Sequence, residues 1–255
     1  MKPILAPLNL EEVKDFISTN IEEGFLTKNN EQLNNINLLN LLKRKNPYLY
    51  RAKGVKTPQD IIKDLVDAKV SSSEETLFGN FLENIAVFVC EKVHGGIKSG
   101  INGIDLEVQD MHRKYRWLIS IKSGPNWANS SQKNKMLENF KAAKKTISTS
   151  GGAKDMKIEC IEGCCYGNSS SVATGLHRKL CGQDFWHFIS GDRSLYQSLI
   201  QPLGERSADI KQAFEQSKQN VIIRLSKEFY DHYVTPEAEI DWVKIVELNS
   251  GCDTR

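Results

Sequence analysis

The sequence predicts an α/β fold, in which strands form a central sheet that helices cover, with an additional helical region on the amino-terminal side. Apolar residues recur at three- and four-residue spacing before residue 94, alternate with polar ones between residues 104 and 122, and return to helical spacing after residue 192. A chain of 255 residues can bury a full core, as one large domain or as a domain with an appendage. We predict a helical region over residues 1–73 and a main domain over residues 74–255 that ends in helices.

The amino-terminal helices are predicted from apolar spacing and from capping residues. Residues 10–23 and 30–45 have helical periodicity. A third helix, over residues 57–69, starts with a capping threonine and a proline at its first position. Residues 71–73 are three serines, which we predict to interrupt the helical pattern. The following segment, 74–93, is apolar on almost all sides, which indicates a buried helix.

Two short strands with a polar turn between them are the centre of the prediction. Side chains alternate across a strand, so Asp105 and Glu107 share one face of the first strand, and Ser120 and Lys122 share one face of the second. If the strands pair around residues 110–116, Asp105 lies opposite Ser120 with Lys122 on the diagonal, within reach of a long side chain. The pattern therefore predicts two acids, a hydroxyl and a lysine on one sheet face.

This set of side chains is suited to metal-dependent hydrolysis of a phosphodiester. An aspartate at the end of a strand offers oxygen ligands to Mg²⁺, the metal lowers the pKa of a bound water, and a lysine can position the hydroxide or offset charge on the phosphate. An ordinary hairpin with a surface ion pair is the simpler interpretation of an Asp–Lys pair alone. The SGPNWANSSQ segment after Lys122 favours the catalytic interpretation, because small residues and amides contact phosphates and base edges.

Asp105 followed by Ser120-Ile121-Lys122 resembles the PD-(D/E)XK nuclease core in its S-x-K form, which occurs in some type II restriction endonucleases. In that subgroup the carboxylate two residues before the lysine is absent, and a glutamate elsewhere replaces it. Glu83 is the first candidate, because a carboxylate in a buried helix needs a partner and a metal shared with Asp105 would be one. A glutamate at the edge of the apolar face, reaching water, is the alternative. Glu107 and then Glu138 are the other candidates for the missing acid.

The resemblance implies a role for each of these side chains. Asp105 and Glu83 would bind Mg²⁺, with Glu107 as a supporting ligand. Lys122 would position the hydroxide and offset the charge of the phosphate. Ser120 would orient Lys122 or a water molecule.

Two further segments resemble the same subgroup. A strand that ends in Y-G-N-S at residues 166–169 and an aromatic Q-D-F-W segment at residues 183–186 are similar to enzymes that cut palindromes with GG and CC in their half-sites. The resemblance spans residues 78–191 and implies a mixed central sheet flanked by helices, with Mg²⁺-dependent cleavage of double-stranded DNA at a short palindrome. It also implies a cognate DNA methyltransferase. A palindromic target calls for two-fold symmetry and hence a homodimer, to which the helical region 1–73 would contribute by dimerisation or by gripping DNA.

The segment after the lysine strand leads into a basic helix, residues 132–147, that Ser130 or Ser131 would cap. A helix amino terminus with lysines suits a DNA phosphate, and a solvated face that only aids solubility is the alternative. Asn168 could read a base edge or simply end its strand. The side chains predicted to contact DNA are Lys98, Asn126, Trp127, Asn129, Ser130, Ser131, Gln132, Lys133, Asn168, Ser169 and Arg178.

Composition excludes fewer classes of function than the motifs do. The net charge of +2 is too small to indicate nucleic-acid binding by itself, and 40% hydrophobic with 26% charged residues is ordinary for a globular protein. No stretch approaches the length of a membrane span and no signal-peptide pattern opens the chain, so a cytoplasmic protein is expected. The cysteines are expected to be reduced core thiols, with a zinc site as the alternative. Two other functions stay open: a repair or recombination nuclease that reads DNA structure, and a DNA-binding protein without catalysis.

Overall fold

The computed structural model describes residues 6–149, 156–171, 175–204 and 208–251. The chain divides into two compact units, the first formed by Met1–Ile21 and Phe78–Glu205 and the second by Glu22–Leu77 and Arg206–Arg255. The boundaries of these packing units differ from the predicted division into residues 1–73 and 74–255. That division stays a prediction, because it separates a dimerisation or DNA-gripping region from a catalytic domain. Residues 1–5, part of the segment considered for a signal peptide, lie outside the described residues, as does Cys252.

The described residues form helices for most of their length and one sheet. The helices are α1 Leu10–Ile21, α2 Lys28–Asn34, α3 Leu38–Arg44, α4 Pro47–Ala52, α5 Pro58–His94, α6 Ser130–Thr149, α7 Gln183–Ser190, α8 Leu195–Ser198, α9 Ile200–Gly204, α10 Ala208–Tyr233 and α11 Trp242–Ser250, with a π-helical segment Glu22–Thr27 between α1 and α2. The strands are β1 Ile97–Lys98, β2 Leu106–Asp110, β3 Tyr115–Lys122, β4 Lys157–Cys164 and β5 His177–Cys181. Within the described ranges, no helix has the length and apolar character that crossing a membrane requires.

The helix breaks differ from the predicted ones. The break predicted at residues 71–73 is wrong, because α5 continues through the three serines: Ser73 is buried, and the Thr76 hydroxyl donates to the Ser72 carbonyl at 3.0 Å within the helix. Serine disfavours a helix by only a few tenths of a kcal/mol. The helix predicted over residues 30–45 is instead interrupted, and the Asn37 side chain caps α3 by accepting from the Asn40 amide at 3.1 Å.

The first unit contains the five-stranded mixed sheet, in the order β1-β2-β3-β4-β5. The β1–β2 and β2–β3 pairs are antiparallel, whereas the β3–β4 and β4–β5 pairs are parallel. Leu106 pairs with Ile119, and the Asp105 amide donates to the Ile119 carbonyl at 2.9 Å, so Asp105 lies opposite Ser120. The structure therefore confirms the predicted hairpin register.

Helix α6 covers one face of this sheet. Its apolar side joins strand residues in one buried cluster: Ile104, Leu118, Met136, Phe140, Ala143, Ile147 and Cys160. The cysteines in the described ranges are free and buried, which agrees with the expectation of core thiols: Cys90, Cys160, Cys164, Cys165 and Cys181.

Gly163→Ala should destabilise the first unit, because β4 and α7 approach closely at this glycine. A Cβ at Gly163 would lie 2.3 Å from Cε2 of Phe185, whose side chain is fully buried. Overpacking of this kind costs about 1–3 kcal/mol, and we expect a loss of that size in the free energy of unfolding measured with denaturant. Gly100→Ala is the control, since a Cβ there would meet no described atom within 4 Å. Equal stability of the two variants would contradict this prediction.

The second unit is helical and has its own apolar core, formed by residues of α3, α4, α5, α10 and α11. Side chains from its carboxyl-terminal helices complete the ends of its short helices. Arg224 donates to the Asn34 and Ile36 carbonyls at 3.3 and 3.0 Å, and Asn249 donates to the Leu42 and Lys45 carbonyls at 2.8 and 3.1 Å. These bonds satisfy carbonyl groups that a helix end leaves without a partner.

Candidate active site

Asp105 immediately precedes β2, and three groups of β3 contact its Oδ2 atom. The Ile121 amide donates to it at 2.6 Å, the Ser120 hydroxyl donates at 3.3 Å, and the Lys122 ammonium lies 3.7 Å away. The hairpin register causes this arrangement, because it places Ser120 opposite the acid and Lys122 on the diagonal. The structure thus brings together three of the predicted catalytic side chains.

Glu83 of α5 lies in the same electrostatic environment. Its side chain is 23% exposed, and the Lys98 ammonium lies 3.5 Å from its Oε1. Burial raises the pKa of Glu83, the Asp105 carboxylate raises this pKa further, and Lys98 and Lys122 offset part of the effect. Lys98 reaches Glu83 from another element, β1, so the helical spacing around Glu83 does not reveal this cation. A carboxylate whose charge is disfavoured by burial and by a neighbouring carboxylate marks a place where a bound cation would be stabilising.

Glu107 and Glu138 are in different surroundings. Glu107 is buried and accepts from Arg116 through both Nε, at 3.0 Å, and a terminal guanidinium nitrogen, and it also accepts from the Ser99 hydroxyl. Its oxygens are therefore already engaged by protein donors. Glu138 lies on the surface of α6, where its side chain is 68% exposed and its carboxylate is 3.8 Å from Lys135.

The donor set at Asp105 and Glu83 fits a hard divalent cation. Among the described residues, no group of three or more His, Cys, Asp and Glu side chains is arranged to bind a metal ion. Mg²⁺, however, commonly takes only one or two carboxylates and completes its coordination with water and substrate phosphates. Asp105 and Glu83 supply two such carboxylates, and the effect of Asp105 on the Glu83 pKa shows that their charges interact.

Sequence reasoning missed a second charged cluster next to this site. Glu162 of β4 pairs in parallel register with Ser120 and is buried. It accepts from four side chains: the Trp127 indole at 2.9 Å, Lys179 at 3.1 Å, His177 at 3.2 Å and the Cys164 thiol at 3.9 Å. The signal that could have found it is the single acid inside the otherwise uncharged stretch CIEGCC, residues 160–165, since a buried carboxylate needs partners.

The Glu162 cluster should make stability depend on pH. Burial raises the pKa of Glu162, but hydrogen bonds from His177, Trp127 and Lys179 outweigh burial and lower the pKa to about 2. A folded-state pKa below the unfolded value of about 4.3 means that the ionised carboxylate stabilises the fold above that pH and that this contribution is lost as the pH falls towards the folded value. We expect Glu162→Gln to lower the free energy of unfolding by about 2–3 kcal/mol near neutral pH, and the difference from wild type to shrink below about pH 4.

Denaturant titrations of wild type and Glu162→Gln at a series of pH values measure this difference. Glu159→Gln is the matched control, because Glu159 lies on the same strand, accepts from the Trp117 indole at 3.2 Å and is more exposed, at 27%. A difference between wild type and Glu162→Gln that stays constant into the acidic range would contradict the assignment.

The residues predicted to contact DNA differ in exposure and in their contacts within the protein. Trp127 is half-buried. Asn129 and Gln132 form a reciprocal cap of α6, in which each side chain accepts from the other residue's backbone amide at 3.0 Å. The cap predicted at Ser130 or Ser131 is therefore wrong, because α6 begins at Ser130 and Asn129 precedes it. Lys98 is exposed and pairs with Glu83, and Arg178 is half-buried on β5. The remaining predicted side chains are exposed: Asn126, Ser130, Ser131, Lys133, Asn168 and Ser169.

Comparison with known proteins adds independent information. A family model described as Type II restriction endonuclease EcoO109I matches residues 11–211, which is most of the chain. A search of curated proteins found no match. The matched range includes Glu83, Asp105, Ser120 and Lys122, together with Glu162.

Proposed function

The chain belongs to the type II restriction endonuclease EcoO109I family, a family of DNA-binding, site-specific deoxyribonucleases, and from this premise we propose its chemistry and its substrate. The protein makes Mg²⁺-dependent double-strand breaks in DNA at a short palindrome with GG and CC in its half-sites. Its catalytic core is a PD-(D/E)XK core in the S-x-K form. Divalent metal use is general among type II restriction endonucleases, and Mg²⁺ is the ion proposed for this chain.

The observation that carries this proposal is the contact of Asp105 with Lys122, together with the effect of both charges on the pKa of Glu83. Asp105 and Glu83 would bind the metal, which supplies Lewis-acid polarisation of the scissile phosphate when it is bound. Lys122, whose ammonium lies 3.7 Å from Asp105, would position the attacking water and offset the charge that develops on the phosphate. Ser120 donates to Asp105 and would fix the orientation of that carboxylate.

The missing acid of the S-x-K form is assigned to Glu83. Its carboxylate faces one exposed lysine, which can move away, whereas the Glu107 carboxylate faces Arg116 and Ser99 in a buried setting. Glu107 is better suited to stiffening β2 than to binding a metal. Glu138 is poorly suited to bind the metal, because its side chain is exposed to solvent on α6.

The proposed partners follow from the proposed target. A palindrome presents two equivalent strands, so a homodimer would place one active site on each strand. A cell that contains such an enzyme must protect its own copies of the site, which assigns the second partner: a DNA methyltransferase of the same specificity.

Digestion of phage DNA by the purified protein tests the proposed function. Discrete fragments in Mg²⁺ that disappear in EDTA are expected, and end-mapping of the fragments would give the site and the position of the cut. Cleavage confined to flaps or junctions would point to the repair or recombination alternative. Specific DNA binding without strand scission under any divalent metal would overturn the enzymatic proposal.

A further inference from the structure

The catalytic lysine of the proposed mechanism has a second neighbour besides Asp105. The Lys122 ammonium lies 5.0 Å from the centroid of the Trp127 ring, which is within the range of a cation–π interaction. A lysine side chain is flexible, with an ammonium group that can point in many directions. One contact with Asp105 leaves much of this freedom, and an aromatic face on another side restricts it.

Trp127 is itself held by the buried Glu162 of β4 and by the apolar cluster under α6. Its indole N–H donates to Glu162 Oε1 at 2.9 Å, and its ring packs against the α6 core cluster. Glu162 also contacts Lys179 at 3.1 Å, and Lys179 donates to the Pro125 carbonyl at 2.9 Å. The loop that follows Lys122 is therefore attached to the sheet at two points, Pro125 and Trp127.

Gly124 and Gly167 allow this loop to lie close to the sheet. A Cβ at Gly124 would lie 2.2 Å from the Tyr166 ring, and a Cβ at Gly167, whose φ is +100°, would lie 2.7 Å from Pro125. The position of Trp127 is thus determined by close packing of its loop as well as by its hydrogen bond.

Glu162 is suited to act on Lys122 through the indole ring. The positive edge of an aromatic ring and its negative face belong to one quadrupole. A carboxylate that accepts from the indole N–H polarises the ring towards its face, which strengthens the attraction of that face for an ammonium group. The four side chains therefore form one chain of contacts, from the Lys122 ammonium to the face of the Trp127 ring, from the indole N–H to the Glu162 carboxylate, and from that carboxylate to the Lys179 ammonium.

We propose that Trp127 and Glu162 are positioning residues that hold the Lys122 ammonium in its reactive place, rather than residues that contact DNA or metal. This inference rests on the proposed function, because it gives Lys122 its catalytic role. Glu162 lies beside Ser120, where the S-x-K form lacks its acid, but its carboxylate already accepts from four side chains. Trp127, which the sequence predicts to contact DNA, would instead affect cleavage by orienting Lys122.

Steady-state cleavage kinetics separate positioning from DNA contact. We expect Trp127→Leu to lower kcat about tenfold with little change in KM, because the cation–π contact that orients the ammonium is lost; a tenfold change corresponds to about 1.4 kcal/mol. Trp127→Phe keeps a ring face and should recover part of kcat. Glu162→Gln should lower kcat in the same way, whereas Glu159→Gln, its matched control, should not. A raised KM with unchanged kcat would overturn the proposal, because it would make Trp127 a DNA contact.

The indole N–H resonance of Trp127, assigned by its absence in Trp127→Phe, gives a readout that needs no activity. We expect this resonance to shift in Glu162→Gln and in Lys122→Met and to stay in place in Glu159→Gln. An unmoved resonance in the first two variants would overturn the contact itself. If the wild-type protein cuts no DNA but the resonance shifts are as expected, the proposed function and the kinetic role of Trp127 are wrong. The contacts that connect Lys122, Trp127 and Glu162 are then still supported. Thermal unfolding of each variant identifies any that fail to fold, and Trp127→Phe with Glu162→Gln then decide the result.

Discussion

Replacing Lys122 with methionine should lower the rate of DNA cleavage by about 10²- to 10³-fold, because the variant lacks the only charge of β3 that contacts Asp105 in the described site. Removing a preorganised charge that stabilises a transition state has an effect of this size. Methionine keeps an apolar stem that can lie against the Trp127 ring, so the local packing is retained. Stability and DNA affinity should therefore stay close to those of wild type.

Single-turnover cleavage in Mg²⁺, DNA binding in EDTA and denaturant unfolding would be measured for this variant. Lys157→Met is the matched control, since Lys157 lies at the opposite end of the parallel partner strand and also pairs with an acid, Glu159, at 3.2 Å. The control should cleave at the wild-type rate. A Lys122→Met enzyme that cleaves within tenfold of wild type, at unchanged stability, would remove Lys122 from the catalytic machinery.

Glu83→Gln should lower the cleavage rate by about 10²-fold and weaken Mg²⁺ binding, because an amide is a poorer ligand for a hard cation than a carboxylate. The substitution leaves Lys98 without its acid, but Lys98 is 65% exposed, so the cost to folding should be small. Calorimetric titration with Mg²⁺ and the Mg²⁺ dependence of single-turnover cleavage would measure both effects. The calorimetric readout is independent of catalysis.

The rival acids supply the controls for this prediction. Glu138→Gln changes a solvated side chain and should behave as wild type. Glu107→Gln should lower the free energy of unfolding instead, because it leaves the Arg116 guanidinium, 17% exposed, without its carboxylate. If cleavage and Mg²⁺ binding survived in Glu83→Gln but were lost in a folded Glu107→Gln or in Glu138→Gln, the second acid would move to that residue.

The sequence by itself determined the hairpin and which of its side chains share a face. Alternation of side chains along two strands that a short turn connects leaves one register in which the apolar faces agree, and that register puts Asp105 opposite Ser120 and near Lys122. The same local logic placed Glu83 in a mostly buried helix. The range that the family model matches, residues 11–211, includes these residues.

Only the tertiary structure decided which charges face each other across separate elements. The parallel pairing of β3 with β4 brings Ser120 beside Glu162. Lys98 lies on β1, which pairs with β2, and from there it contacts Glu83. Such neighbours are far apart in sequence, and no periodicity along the chain encodes them. For the same reason, the contact of Trp127 with Glu162 could not be deduced, although it changes the role assigned to Trp127. The Arg116–Glu107 pair differs, because both residues lie within the predicted hairpin and its register puts Arg116 on the diagonal to Glu107. Local spacing determines which face a side chain occupies, whereas strand order and helix packing determine what it meets there.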